Sequence, residues 1–323
     1  MAEYKGIKGF KVQSLASDPT VDEGQIWYNT TSSTLKYDTI AAGTWAAGGD
    51  IVAKRHRMTG AGISTAAVTF GGIPPPTPGV AGVLNESYDG TTWTEVGDLN
   101  IANSRAQGWG TQTAAMVAGG TGYPPGNLDS VEIWNGSAWT TSPAALNTAR
   151  SVAGGGGTTT SGLLAGGAIP GNTDITEEWN GTSWAEVGDL NTARAQLVGA
   201  KNGTVTAGLV FGGTTPAIVT ITESYNGTAW TEEADMGSAR YAMGSAGTQT
   251  SALVFGTYPP PIGIKTEAYD GTSWTEVANL GTAFYGGGTG GTSADAFTAG
   301  GYDQDLGSQE WTRAVVVKTV TTT

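Results

Sequence analysis

Thr222-Glu223-Ser224-Tyr225-Asn226-Gly227-Thr228-Ala229-Trp230 is the stretch that decides the fold. A short alternating segment ends in an aromatic residue, an Asn-Gly step follows, and a tryptophan opens the next segment. Asn-Gly between β-prone segments is the strongest short-range hairpin signal, because a type I′ turn needs positive φ at both central residues. Four further copies follow the same plan: Tyr88-Asp89-Gly90, Trp134-Asn135-Gly136, Trp179-Asn180-Gly181 and Tyr269-Asp270-Gly271. Trp45, Trp93, Trp139, Trp184, Trp230 and Trp274 recur at intervals of 44 to 48 residues. A period of ~40–50 residues holding four short strands belongs to β-propellers.

Upstream of each hairpin a second strand ends in paired glycines: Phe70-Gly71-Gly72, Ala118-Gly119-Gly120, Ala165-Gly166-Gly167, Phe211-Gly212-Gly213 and Ala299-Gly300-Gly301, with Phe255-Gly256-Thr257 as the variant. Further upstream lies a first strand introduced by arginine, as in Thr192-Ala193-Arg194. Six second strands predict six blades. The last unit reaches a third strand, Gln309-Glu310-Trp311, but has no following Gly-x-x-Trp. Gly43-Thr44-Trp45 supplies the missing piece, so the expectation is an all-β, six-bladed propeller over 35–323, closed by strands from both ends. The Trp45 strand should be the outer strand of the blade built from 284–317. Such closure removes exposed sheet edges.

A second strand ending in Gly-Gly, a third ending in Tyr or Trp and a fourth with Trp together resemble the kelch repeat, over roughly residues 45–311. Residues 1–34 fall outside it as an N-terminal attachment arm. There, Glu23-Gly24-Gln25-Ile26-Trp27-Tyr28-Asn29-Thr30-Thr31 and Leu35-Lys36-Tyr37 read as a β-hairpin around a Thr/Ser turn. This segment resembles one found in bacteriophage tail and fibre proteins. The blades at 222–230 and 247–256 are similar to kelch-type proteins of marine cyanobacterial phages. The resemblance implies a virion structural protein, tail- or fibre-associated, whose arm docks to other virion proteins through Trp27, Tyr28 and Tyr37. An isolated hairpin is marginal in water, so a partner is expected to order it.

Composition narrows the function. The 323 residues carry a net charge of −13, only 13% charged residues and no cysteine. Phosphate binding needs clustered Lys and Arg, and the only dense basic run is Lys54-Arg55-His56-Arg57, so nucleic acid is not an expected partner. Disulfides, thiolate nucleophiles and zinc-thiolate sites are excluded. Met1 to Val12 show no apolar signal region, and no apolar run approaches the ~20 residues of a spanning helix, so membrane insertion is not expected.

The enzymatic readings fail one by one. His56 is the single histidine; the cations Arg55 and Arg57 beside it should lower its pKa, and a Ser-His-Asp triad has no carboxylate nearby in sequence. Kelch-type copper oxidases use a cysteine-modified tyrosine that this composition cannot supply. Ser87-Tyr88-Asp89-Gly90-Thr91-Thr92-Trp93 comes within one residue of the Asp-box of sialidase blades, itself a structural turn. Asp303-Gln304-Asp305-Leu306-Gly307 weakly resembles a calcium loop without its bidentate Glu. The Asn-x-Ser/Thr sequences at Asn29, Asn85, Asn135, Asn180, Asn202 and Asn226 are mostly turns. No cofactor, no metal and no catalysis are expected.

Two sets of candidate residues remain. The loops after the second strands are rich in proline, which fixes φ and stiffens them. Tyr123, Tyr258 and Tyr302 on these loops are the candidate ligand-binding residues, for a host-surface glycan or protein; a lectin or an intracellular kelch-type scaffold are the alternatives. The second set is a repeated charge pair, Arg55, Arg150, Arg194 and Arg240 against Glu86, Glu132, Glu177, Glu223 and Glu267. The second unit has Asn103 in the Arg slot with Arg105 two residues on. The sixth has Phe284 and Gln309, losing both partners together. That joint loss predicts a structural, bidentate Arg–Glu contact, within a blade or across to the next, as from Arg194 to Glu177.

Overall fold

A computed structural model describes residues 12–19, 26–75, 81–258, 262–302 and 306–320. The described chain is all-β, built of seven four-stranded sheets, an arrangement consistent with a β-propeller. One 3-10 turn, Ile262–Ile264, is its only helical element among those residues, and none of its helices is long and apolar enough to cross a membrane. The chain divides into two units, 44–312 and 1–43 with 313–323.

Six of the sheets make up the larger unit. The first comprises Thr59–Ile63, Ala66–Phe70, Asn85–Tyr88 and Trp93–Glu95, in chain order and antiparallel throughout. The second to fifth repeat that order over 107–141, 154–186, 198–232 and 244–276. The sixth takes three strands from the chain's far end, Gly288–Gly291, Asp295–Ala299 and Ser308–Thr312, and its fourth from Thr44–Ala47. Trp45 pairs with Trp311 in that ladder, as Trp230 pairs with Tyr225 in the fourth sheet.

Local chemistry explains the strands. In the hairpin that opened the sequence reading, Tyr225 and Trp230 form the last pair, with Asn226–Ala229 as the connection. Only Gly227 has positive φ (92°), so this is not the expected two-residue type I′ turn. Asn226 instead accepts the N–H groups of Thr228 and Ala229 through its side chain, an Asx turn that tolerates a four-residue loop. The first strand of the third sheet is four glycines, Gly154–Gly157. A Cβ on Gly156 would stand 2.2 Å from the Ala200 carbonyl, so glycine here lets neighbouring sheets approach closely.

Adjacent sheets are tied twice. The second residue of each glycine pair donates its N–H to the carbonyl of the residue in the following sheet's Arg slot: Gly72 to Asn103, Gly120 to Arg150, Gly167 to Arg194, Gly213 to Arg240, Thr257 to Phe284, and Gly301 to Arg55. Thr257 replaces glycine without loss because only an N–H is required. The second tie is aromatic. Trp139 packs edge-on against Phe70 of the preceding sheet, Trp274 against Phe211, and Trp45 against Phe255, at 4.7 to 4.9 Å between ring centroids. Trp93 of the first sheet meets Phe297 of the sixth at 5.9 Å.

The smaller unit is one sheet. Gln13–Leu15 runs parallel to Ile26–Asn29, which pairs antiparallel with Thr34–Ile40, and that strand pairs antiparallel with Val315–Thr319. The division into units falls at 43/44 and 312/313 where 34/35 was expected: 35–43 and 313–323 group with the hairpin, and Val315–Thr319 pairs with Thr34–Ile40. A strand of the chain's own C-terminal end flanks the hairpin, where a partner was expected. Asp18 anchors the sheet by accepting from Trp27 Nε1, Asn29 Nδ2 and Lys36 Nζ, which together hold its carboxyl below the usual range. Glu23, Gly24 and Gln25 lie outside the described residues.

Candidate functional site

The repeated charges are buried, and four arginines pair with four of the five glutamates. Arg55 Nη2 lies 2.7 Å from Glu86 Oε1, Arg150 Nη1 2.6 Å from Glu177 Oε1 and Arg194 Nη2 2.7 Å from Glu223 Oε1; Arg240 and Glu267 form the same contact. Each pair lies within one sheet, one of the two arrangements the repeat left open; Arg194 meets Glu223, and the expected Arg194–Glu177 contact does not form because Glu177 belongs to Arg150. Nor is the contact bidentate. One carboxylate oxygen takes the guanidinium, while the other accepts a backbone N–H from the incoming segment, as Glu223 Oε2 does from Asn191 at 2.7 Å. Other Nη–H groups go to backbone carbonyls, Arg194 Nη1 to Gly212 and Ile221, or to a hydroxyl, Arg55 Nη2 to Thr69, whereas Nε finds no protein partner in any of the four. Burial pushes these arginines down from their ordinary pKa and the glutamates pull them back up.

The two departures are instructive. Glu132 meets no arginine; it accepts the N–H groups of Asn100 and Ile101, while Asn103 Nδ2 takes the Gly119 carbonyl that an arginine would cap. Arg105 does not substitute for the slot arginine, as the sequence had implied. In the sixth sheet Gln309 Oε1 accepts Gly281 N–H and Thr282 N–H, the backbone role of the other glutamates, and Phe284 fills the slot.

Arg105 opens instead onto a cavity of about 700 Å³ lined by residues of all six sheets. Two residues beyond each slot stand Arg57, Arg105, Val152, Gln196, Ala242 and Gly286, all with φ between 51° and 67°. Arg105 N–H donates to Arg57 C=O, Val152 N–H to Arg105 C=O, Gln196 N–H to Val152 C=O and Gly286 N–H to Ala242 C=O, at 2.8 to 3.1 Å; Arg57 N–H donates to Gly286 C=O. Left-handed backbone costs an L-residue ~1–2 kcal/mol. The chain of bonds from sheet to sheet holds it in place here.

Four tyrosines form one wall of the cavity. Tyr285 and Tyr302 stack at 4.5 Å, Tyr258 lies 5.1 Å from Tyr285, and Tyr241 5.8 Å from Tyr258. Arg57 sits 5.7 Å over the Tyr302 ring, whose neighbour on another side is His56 at 3.9 Å. Burial, reinforced by Arg57 and Arg105, pushes His56 down to about 4, so its imidazole is neutral at pH 7. Lys201 is buried, its ammonium donating to Gly108 O at 2.6 Å and Thr59 Oγ1 at 3.3 Å; desolvation pushes it down to about 7. No carboxylate, histidine or thiol is among the described residues lining this cavity.

Of the tyrosines singled out in sequence, Tyr258 and Tyr302 belong to this wall, but Tyr123, 60% exposed, does not line the cavity. Tyr241, Tyr285, Arg57, Arg105 and Lys201 were missed. The signal for the arginines was available: two residues after the slot, two units carry Arg where the other four carry Val, Gln, Ala and Gly. Of the arm residues, Trp27 is buried (1% exposed) and offers no surface, Tyr37 is half-buried, and Tyr28 is 38% exposed. Among the described residues no group of three His, Cys, Asp or Glu is placed to hold a metal; Asp303 and Asp305 lie outside them. Compared with protein-family models the chain matches none, and no curated protein matches it.

Proposed function

We propose that the six sheets of 44–312 are the blades of a closed, kelch-type propeller, and that the protein is a non-enzymatic recognition component of a phage particle. Closure is supported by the bonds from the sixth sheet to the first, Gly301 N–H to Arg55 and Arg57 N–H to Gly286, and by Trp93 against Phe297. The observation that carries recognition is the split between repeated and unrepeated residues. What repeats, the Arg–Glu pairs and the tryptophans, is buried or half-buried and is bonded or packed within or between blades. What breaks the repeat, Arg57, Arg105 and the four tyrosines, collects at one cavity of a size suited to a small ligand.

The ionisable groups at that cavity are cations and tyrosines, a binding wall rather than an acid–base pair. The phage assignment rests on the arm and blade sequences that resemble tail and fibre proteins, with the arm as the docking element for other virion proteins. Immunogold labelling and mass spectrometry of purified particles test it. The expected outcome is a fixed copy number at one position on every particle. Abundance in the infected-cell lysate with none on particles would favour an intracellular scaffold instead.

A further inference from the structure

The six positions at φ of 51–67° pose a question that packing does not answer. Glycine adopts this conformation without steric cost, and the sixth blade uses it at Gly286. Arginine, with a Cβ and a long side chain, occupies two adjoining positions. Neither Arg57 nor Arg105 forms an ion pair with a described residue, and each lowers the pKa of His56 by its charge. The buried ammonium of Lys201, also without a carboxylate, belongs to the same cavity. Arg57 and Arg105 therefore bring two permanent cations, and Lys201 an amine pushed down to about 7, to the lining of one concave site in a chain whose net charge is −13. Nothing in the folding of the blades requires this, and like charges so placed repel.

The rest of the lining says what the anion is attached to. Tyr285 and Tyr302 present a stacked pair of phenol rings with Arg57 over the Tyr302 ring, and Gln196 adds an amide from the fourth blade. An aromatic wall with polar tips and amides suits a ring bearing hydroxyl groups, and the cavity exceeds what a bare oxyanion fills.

We propose that the cavity binds an acidic saccharide, with its carboxylate or sulfate clamped by Arg57 and Arg105 and its ring set against Tyr285 and Tyr302. This rests on reading the propeller as a recognition module, and it names the ligand class. The guanidinium forks supply charge-assisted hydrogen bonds to the oxyanion, which are stronger than neutral ones. Their left-handed backbone, fixed through neighbouring blades, presets where the two forks emerge and reduces the ordering cost of binding.

Calorimetric titration of the full chain with an oligogalacturonide, a sulfated galactose oligomer, an uncharged galactose oligomer and inorganic sulfate tests this at matched ionic strength. The two acidic oligomers, or one of them, should bind, the neutral one at least tenfold more weakly, and affinity should fall as salt rises. Arg57→Gly and Arg105→Gly are the decisive variants, because glycine is at ease at these φ values and the fold should persist. Each should weaken binding at least tenfold without lowering the melting temperature. Tyr302→Ala should weaken the oligomers and leave inorganic sulfate unchanged. Unchanged affinity in both glycine variants, equal binding of the neutral oligomer, or sulfate binding as tightly as the saccharides would overturn the proposal. So would no binding by any oligomer, while immunogold labelling of particles would stand or fall separately.

Discussion

In the fourth sheet the slot under Gly212 holds Arg194, which reaches Glu223 and the carbonyls of Gly212 and Ile221; in the sixth the same slot holds Phe284, and Gln309 stands at the glutamate position. Both slots keep the backbone bond made by the slot residue's own carbonyl, Gly167 to Arg194 and Thr257 to Phe284. Both keep an oxygen on the third strand that receives the incoming segment's N–H groups. What differs is whether that oxygen is charged, and the cation follows it. The glutamate's first duty is to the backbone, and the arginine exists to neutralise it in a buried place. The second sheet, with Glu132 and Asn103, stands between the two: its carboxylate keeps two backbone N–H groups and the Asn100 amide, as Glu223 keeps that of Asn191, but has no arginine.

Breaking the fourth-blade pair should have the largest effect. Arg194→Ala leaves the buried Glu223 without its cation and two carbonyls uncapped, and removing one partner of a buried pair costs ~3–5 kcal/mol. Urea denaturation should show that loss, against ~1 kcal/mol or less for the cavity-facing Arg57→Ala. Combining Arg194→Ala with Glu223→Gln should be less than additive, whereas Glu177→Gln with Arg194→Ala should be additive, since those side chains do not touch. A cycle in which Glu177 couples and Glu223 does not would break the comparison.

Transplanting the pair sharpens it. Phe284→Arg alone puts an unpaired charge into a buried apolar slot and should destabilise by ~3 kcal/mol or more. Adding Gln309→Glu should recover over half of that. No recovery would mean that the sixth slot differs in shape as well as charge.

A buried cation without a carboxylate gives the next contrast. With Lys201 at about 7 when folded against 10.5 when unfolded, the unfolded chain binds a proton the folded one lacks between those values. Stability should therefore rise with pH from about 7 to 9, by up to ~1.4 kcal/mol per pH unit at the steepest. Lys201→Met should flatten that slope in chemical denaturation, and an unchanged slope would refute the assignment.

The smallest effect concerns the tryptophans. Trp230, Trp274 and Trp45 donate their indole N–H to Thr176, Thr222 and Thr266 of the preceding sheet, each at 3.0 Å. Where that position is Ser308, Asn85 or Val131, the indoles of Trp93, Trp139 and Trp184 have no partner. Val131→Thr should give Trp184 its acceptor and stabilise by ~0.5–1 kcal/mol. A loss of stability would show that the hydroxyl's own desolvation outweighs the bond gained.

Much of this was legible in the sequence because a repeat reports on itself. Trp45 without a unit of its own, and a last unit without its Trp, located the strand exchange that pairs Trp45 with Trp311. The simultaneous change to Phe284 and Gln309 identified which positions touch. Whether they touch within a sheet or across to the next stayed open, and Arg194 was matched to Glu177 instead of Glu223, because a period of about 45 residues cannot say whether an arginine looks back or forward. The type I′ turns were misjudged because an Asx hydrogen bond lets Asn226 and its counterparts close a longer loop. The cavity was mostly illegible: Lys201 lies outside any repeated position, and Tyr241 and Tyr285 become neighbours of Tyr258 and Tyr302 only through packing.

The strand Thr44–Ala47 is the first part of the 44–312 unit to be synthesised, yet its ladder partner, Ser308–Thr312, is the last. Throughout translation of the intervening 260 or so residues it has no edge to join, and Trp45 has neither Phe255 nor Trp311 to cover it. Pairing across so long a loop is slow, and an unpaired strand is open to a neighbouring chain. On a polysome crowded with copies of this sequence, the same strand could complete the sixth sheet of a different molecule. The short four-residue length of that strand limits the exposure, and the protein's yield in the cell should fall with the density of nascent chains rather than with the stability of the finished fold.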